Sequence, residues 1–324
     1  MKQKIIIISA LLLLLALVAF MVKDFFINKP ENNNPYKFEL ENIRTGDTSM
    51  TAYSETGQIK TTLEEIHGIA TNNSGKIYVA GKNGIEVFNA SGSAVNKFKI
   101  EGIAQSIAVA DNGNLFLGIL DHIEIFDNNG KQIAKWNSCG KDAVITSIAV
   151  KGNDVFVADA GQKVVYRFDL KGNLINKIGL KDPATGVPGF IIPSPYFDLG
   201  ISKDGNLWVV NPGRHSFEKY AFDGALLTSW TKASMAMEGF CGCCNPSNFA
   251  FVNDSLFVTS EKGIERIKVY NADGSFLCIV ATPDQFDEGT KGLDLAVDQQ
   301  NRILVLDPVK KLIRIFELSV SAHP

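Results

Sequence analysis

The sequence predicts an all-β fold, a six-bladed β-propeller, and three observations carry that reading. An aromatic followed four residues later by glycine recurs at Phe88/Gly92, Phe126/Gly130, Phe168/Gly172, Tyr220/Gly224 and Tyr270/Gly274, and Phe316 falls in phase near the end. Successive aromatics stand 38, 42, 52, 50 and 46 residues apart, the length of one four-stranded blade plus variable loops. Six short apolar runs of one type open the successive units, one inner strand for each blade.

The elements follow in chain order. Residues 1–28 form a separate unit: Lys2 and Lys4 precede an uncharged stretch over residues 5–22, and Lys23 and Asp24 stop it. Eighteen uncharged, mostly apolar residues just suffice to span a bilayer. Lysines ahead of the run favour a cytoplasmic N-terminus and an extracytoplasmic remainder, periplasmic or at the cell surface. A cleaved signal is the competing reading, but Leu17 and Ala19 make a poor cleavage pair before the bulky Phe20. No cysteine precedes Cys139, which argues against lipoprotein processing. Residues 29–50 read as a polar tether and lead-in, and residues 51–324 as one propeller, expected to be monomeric; a propeller grows by adding blades, so no second domain is required.

The third unit shows the blade pattern. Ser147-Ile148-Ala149-Val150 is an inner strand, and Val155-Phe156-Val157-Ala158 a second, after a turn at Gly152-Asn153-Asp154. A third follows over residues 164–168, and a fourth over 174–178 after Lys171-Gly172-Asn173. Inner strands of the other units start near Gly68, Ser106, Asp198, Phe249 and Leu293. Six positions after each turn glycine stands Phe98, Trp136, Ile178, Trp230 or Val280, suited to wedging between adjacent sheets. The sixth unit ends after its third strand, so its fourth is expected from the segment around Gly57 to Leu63, which would close the ring and remove a free edge. Tyr53 also stands four residues before a glycine, which leaves a seventh, split blade open.

The run over residues 155–172 resembles the NHL repeat, and the resemblance extends over roughly residues 57–318. Asn211-Pro212-Gly213-Arg214-His215, Glu238-Gly239-Phe240-Cys241-Gly242-Cys243-Cys244-Asn245-Pro246 and Thr259-Ser260-Glu261-Lys262-Gly263 look like a bacterial group of NHL-repeat proteins. The resemblance implies a six-bladed ring and little about activity, because such rings include protein-binding and RNA-binding modules as well as enzymes.

Composition narrows the partners. Thirty-two Lys and Arg against 35 Asp and Glu, a formal net charge of −3, leaves no basic excess for phosphates, so nucleic acid is not an expected partner. An unidentified protein or small molecule is.

Chemistry is expected at one face, where the loops preceding the inner strands and those joining second to third strands open around the channel. Two insertions, residues 180–195 and 232–245, lengthen the repeat there, and long loops on a rigid scaffold usually carry function. The residues expected to form a ligand site are His67, Tyr196, Asn211, Arg214, His215, Asn245, Glu261 and Lys262. Arg214 suits a carboxylate or phosphate; a salt bridge from Arg214 to Glu261 is the alternative. Three loop histidines, His67, His122 and His215, should share this face. The propeller-fold peptidyl-hydroxyglycine lyases, also NHL-like, hold zinc with three imidazoles, although their motifs do not match these contexts. Asp159 and Asp307 are expected to bond their own turns.

Cys241, Cys243 and Cys244 form the strongest chemical signal. Thiols this close form a disulfide, chelate a zinc or iron ion, or serve redox chemistry, and no CxxC partner supplies a fourth metal ligand. No Gly-rich phosphate loop, Ser-His-Asp order or paired catalytic carboxylates emerge.

Overall fold

The computed structural model describes residues 2–23 and 48–319. The chain divides into two units, residues 1–43 and 44–324. In the first, Lys2–Val22 is an α-helix. Among the described residues no helix is long and apolar enough to cross a membrane; the expected span over residues 5–22 includes side chains outside the described set, and the expected tether and lead-in over residues 29–50 lies outside it up to residue 47.

The second unit is a ring of six antiparallel sheets. Blade three is the regular case, with Ile145–Lys151, Asp154–Asp159, Val164–Asp169 and Leu174–Ile178 pairing in chain order. Blades two, four and five repeat it, their inner strands being Ser106–Val109, Leu199–Ile201 and Asn248–Asn253. In blade one a single span, Ile77–Phe88, fills the second and third positions, its first part pairing with the inner strand Ile66–Thr71 and its second with the outer strand Ala94–Ile103.

Blade six closes the ring as the sequence predicts. Its first three strands are Asp294–Val297, Ile303–Asp307 and Leu312–Leu318, and Tyr53–Lys60 completes it, with Gly57 opposite Ile315 and Lys60 opposite Leu312. Tyr53 lies in this closing strand opposite Leu318, so it belongs to blade six and no seventh sheet forms among the described residues. The six inner strands lean on one another in cyclic order, that of blade six against that of blade one.

Neighbouring blades interlock through the turn glycines. Each such glycine has a positive φ, between 80° and 100° at Gly92, Gly130, Gly172, Gly224 and Gly274, a region glycine enters without steric cost. The missing side chain also makes room for the preceding blade. A Cβ on Gly172 would come within 2.8 Å of the Trp136 ring, one on Gly274 within 2.6 Å of Trp230, and one on Gly130 would overlap Phe98. At the seam Ile59 of the closing strand takes this place against Gly92. Phe98, Trp136 and Trp230, three of the fourth-strand wedges expected from the sequence, are therefore packing residues seated on the next blade's turn, and Ile178 lies 3.8 Å from the place of a Cβ on Gly224.

A second repeat appears where the second strand turns into the third. Asn83, Leu120, Lys163, His215 and Lys311 all occupy the left-handed region, with φ from 51° to 58°, and Gly263 has a φ of 86° in blade five. The shared geometry aims these turns at one end of the ring.

Candidate functional site

The channel is built from one repeat position. Gly68, Ser106, Ser147, Asp198, Asn248 and Asp294 occupy equivalent places at or beside the start of the six inner strands. Asp198 Oδ1 accepts hydrogen bonds from the Leu199 N–H at 2.8 Å and the Ser147 hydroxyl at 2.6 Å, and Oδ2 accepts from the Phe249 N–H at 2.8 Å. Asp294 Oδ2 accepts from the Ile69 N–H at 2.8 Å, and Oδ1 from the Leu295 N–H at 2.9 Å and the Asn248 amide at 3.0 Å. Each carboxyl staples its own inner strand to the next one around the ring. Burial pushes the Asp198 carboxyl up to about 7, the charge of Asp294 adding to it, and burial lifts Asp294 to about 6. The ionised forms are disfavoured because the inner strands exclude water from them.

At one end the channel widens into a mouth of about 410 Å³. His67, Gln105, Thr146, Tyr196, Asn248 and Lys291 line it, each just ahead of or at the start of an inner strand, and Leu120 and Pro308 enter from second-to-third-strand turns. Both loop classes expected at the open face therefore meet there. His67 Nε2 sits 3.5 Å from Glu65 Oε2 and makes no hydrogen bond. Tyr196 carries the Lys262 ammonium over its ring at 4.7 Å, and burial raises its phenol.

The two insertions are pinned to the scaffold rather than free. Val187, Phe190 and Ile192 pack into the core between blades three and four. Asn211, fully buried, accepts a hydrogen bond from the Ile191 N–H at 2.9 Å and donates to the Gly189 carbonyl at 3.1 Å and to Glu218 at 2.8 Å. The second insertion buries Phe240 against Trp230 and Tyr270. Below it, Glu261 pairs with Arg266 at 2.8 Å and with Lys268 at 2.7 Å, all three buried. Their spare donors reach the insertion's carbonyls: Lys268 to Gly239 at 2.6 Å and Met237 at 3.1 Å, Arg266 to Gly239 at 3.2 Å. Burial lowers the Lys268 ammonium to about 8, Glu261 opposing the shift.

The expected salt bridge from Arg214 to Glu261 is thus not formed. Glu261 is buried with two cations from its own blade, and Arg214 is exposed. His215 donates from Nδ1–H to the Asn245 carbonyl at 2.9 Å. Asn245 is buried and bonds Cys241 O at 2.6 Å and the Lys262 backbone at 2.9 and 3.0 Å. Of the eight residues expected at a ligand site, only His67 and Tyr196 line the mouth, with Lys262 behind Tyr196. Asn211, Asn245 and Glu261 have their polar atoms committed to holding the insertions. The three loop histidines do not converge: His122 lies between Asp121 at 2.9 Å and Glu124 at 3.2 Å. Asp159 and Asp307 bond the backbone of their own turns, as expected.

The cysteines separate as well. All five are free thiols. Cys243 and Cys244 lie 3.0 Å apart at sulfur, whereas Cys241 Sγ accepts from Arg266 Nη2 at 3.5 Å. Among the described residues no three His, Cys, Asp or Glu side chains gather as a metal site.

Sequence reasoning missed Asp198, Asp294, Lys291 and the Arg266–Lys268 pair. The signal for the aspartates was available: each opens an inner strand whose equivalents are Gly, Ser or Asn. Arg266 and Lys268 carried no such signal, since they read as ordinary charges of a half-exposed strand.

No family model matches the chain, and no curated protein matches it. Among solved structures it is similar to the virginiamycin B lyase of Staphylococcus aureus, with a TM-score of 0.57 and 13% identity over 82% of this chain and 100% of that one. It is similar also to a streptogramin B lyase, with a TM-score of 0.56 and 12% identity over 83% and 98% of the respective chains. Identity this low carries the fold alone, and the fold it carries is the six-bladed propeller.

Proposed function

We propose that the protein is an NHL-type propeller, tethered to a membrane by residues 5–22 and facing away from the cytoplasm, that binds a ligand at the axial mouth. The mouth supports this reading: a concave space of about 410 Å³, within the size range of small-molecule sites. Tyr196 offers an aromatic wall, Lys291 and His67 offer positive or polar donors, and Gln105, Thr146 and Asn248 offer neutral hydrogen bonds. A small polar ligand bearing an anionic group fits this set. The test is a thermal-shift screen of small anionic and polar compounds against the full chain and a His67→Ala/Tyr196→Ala/Lys291→Ala variant. Compounds that stabilise the wild type and not the variant support the mouth; stabilisation that survives the substitutions refutes it.

A second reading, a lyase or hydrolase acting at the same mouth, is favoured by the shared fold of the two lyases and by His67, whose ring lines the mouth with only the carboxylate of Glu65 near its Nε2. Loss of a ligand found in the screen, followed by chromatography, would separate turnover from binding, and a metal-dependent enzyme would lose that turnover with a chelator.

A further inference from the structure

The second insertion carries a thiol pair that the scaffold holds in place. Cys243 is exposed and Cys244 is 1% exposed, with their sulfurs 3.0 Å apart. Adjacent residues in a strand place their side chains on opposite faces, so convergence of these two sulfurs requires a fixed turn. The clasp below supplies it. Arg266 and Lys268 hold the carbonyls of Met237 and Gly239, Asn245 ties Cys241 O to the backbone of Lys262, and His215 holds Asn245 O.

The surroundings of the two thiols differ. Lys262 Nζ, which bonds Ser194 Oγ at 3.0 Å, lies beside Cys244. Burial works against the Cys244 thiolate, but the Cys243 thiol, the Ser194 hydroxyl and Lys262 together bring its pKa below the usual thiol value. Cys243 is shifted upward, first because its hydrogen is engaged with Cys244. Cys241 is a separate thiol, buried beside Arg266 and raised by that burial.

We propose that Cys243 and Cys244 are a redox-active vicinal dithiol, which a disulfide-bearing oxidant converts into an eight-membered-ring disulfide. The site goes beyond ligand binding at the mouth and does not depend on it. The exposed Cys243, once deprotonated, attacks one sulfur of the oxidant; a mixed disulfide forms and the first thiolate leaves. Cys244, as the thiolate favoured by Lys262 and Ser194, then attacks Cys243 Sγ. The second thiolate leaves, and the two protons lost by the cysteines appear on the two released thiols. The oxidant gains two electrons and the dithiol loses two. A ring closed between neighbouring residues is strained, and strained disulfides are the easily reduced ones, so the pair cycles instead of serving as a permanent brace.

The test uses the full chain, reduced and then exposed to glutathione disulfide, with remaining thiols alkylated and the protein weighed intact and after fragmentation. The expected product has lost two hydrogens, carries no glutathione, and keeps three alkylated cysteines, Cys139, Cys241 and Cys278. Fragmentation places the linkage between Cys243 and Cys244 without any substitution. Cys241→Ser should still form it, while Cys244→Ser should stop at a glutathione adduct on Cys243. Four results would overturn the assignment: no reaction, a stable glutathione adduct on the wild type, linkage through Cys241, or a disulfide that dithiothreitol reduces no faster than a long-loop structural one.

Discussion

Replacing Gly130 with alanine tests the interlock between blades, because two separable costs meet at that residue. Its φ of 80° is a left-handed conformation that costs an L-residue about 1–2 kcal/mol. The new methyl would also overlap the Phe98 ring, standing only 2.8 Å even from Cε1. Phe98 is 7% exposed and seated in the core between blades one and two, so it has little room to retreat, and overpacking of this kind costs about 1–3 kcal/mol. The sum is about 2–5 kcal/mol. Gly113 is the control: its φ is 86°, but the nearest atom to an added Cβ is Asn128 Cβ at 3.5 Å, an ordinary contact. Gly113→Ala should therefore cost only the conformational part. Urea unfolding of the full chain, followed by the fluorescence of its three tryptophans, measures both. A double-mutant cycle completes the argument: in a Phe98→Ala background the Gly130→Ala cost should shrink to that of Gly113→Ala. Equal costs for the two glycine variants in the wild-type background, within about 0.5 kcal/mol, would refute the interlock.

Two further predictions concern buried charge. Glu261→Ala should cost about 3–5 kcal/mol, because it leaves Arg266 and Lys268 buried without their counter-ion, and should loosen residues 232–245 to proteolysis; a loss below about 1 kcal/mol would show that the insertion's carbonyls alone satisfy the cations. Asp198 is raised to about 7 and Asp294 to about 6, so the folded chain retains protons that the unfolded chain releases near its ordinary carboxylate pKa. The stability they contribute is complete below that pKa and is lost as pH rises through 6 to 7. Stability measured between pH 5 and 7 should accordingly fall less steeply in Asp198→Asn than in the wild type, and an unchanged slope would remove Asp198 as its source.

The architecture of the ring was legible in the residues because a propeller repeats one local solution. Aromatic, turn glycine and wedge recur at fixed spacing, each reports its own blade, and even the closing strand at Gly57 announced itself by the same spacing. Six sheets followed from six inner strands, and Tyr53 alone was ambiguous until its register opposite Leu318 assigned it to the seam.

The site was less legible, because function here depends on which polar groups from distant blades meet. Asn211, Asn245 and Glu261 look like ligand residues along the chain, being polar and set in or beside turns at the open face. Their partners lie four to twenty-two residues away, and those partners turn the side chains inward. Asp198 and Asp294 look like ordinary residues opening a strand, yet ring closure sets them in the channel and makes each a bond between blades. The three clustered cysteines were visible as a motif, but only the clasp of Arg266 and Lys268 on the insertion's carbonyls divides them, sending Cys241 to a guanidinium and leaving Cys243 with Cys244. Local spacing determined the blades, since short-range steric preferences act within them; closure of the ring decided the chemistry, since burial and charge pairing depend on what the other blades bring.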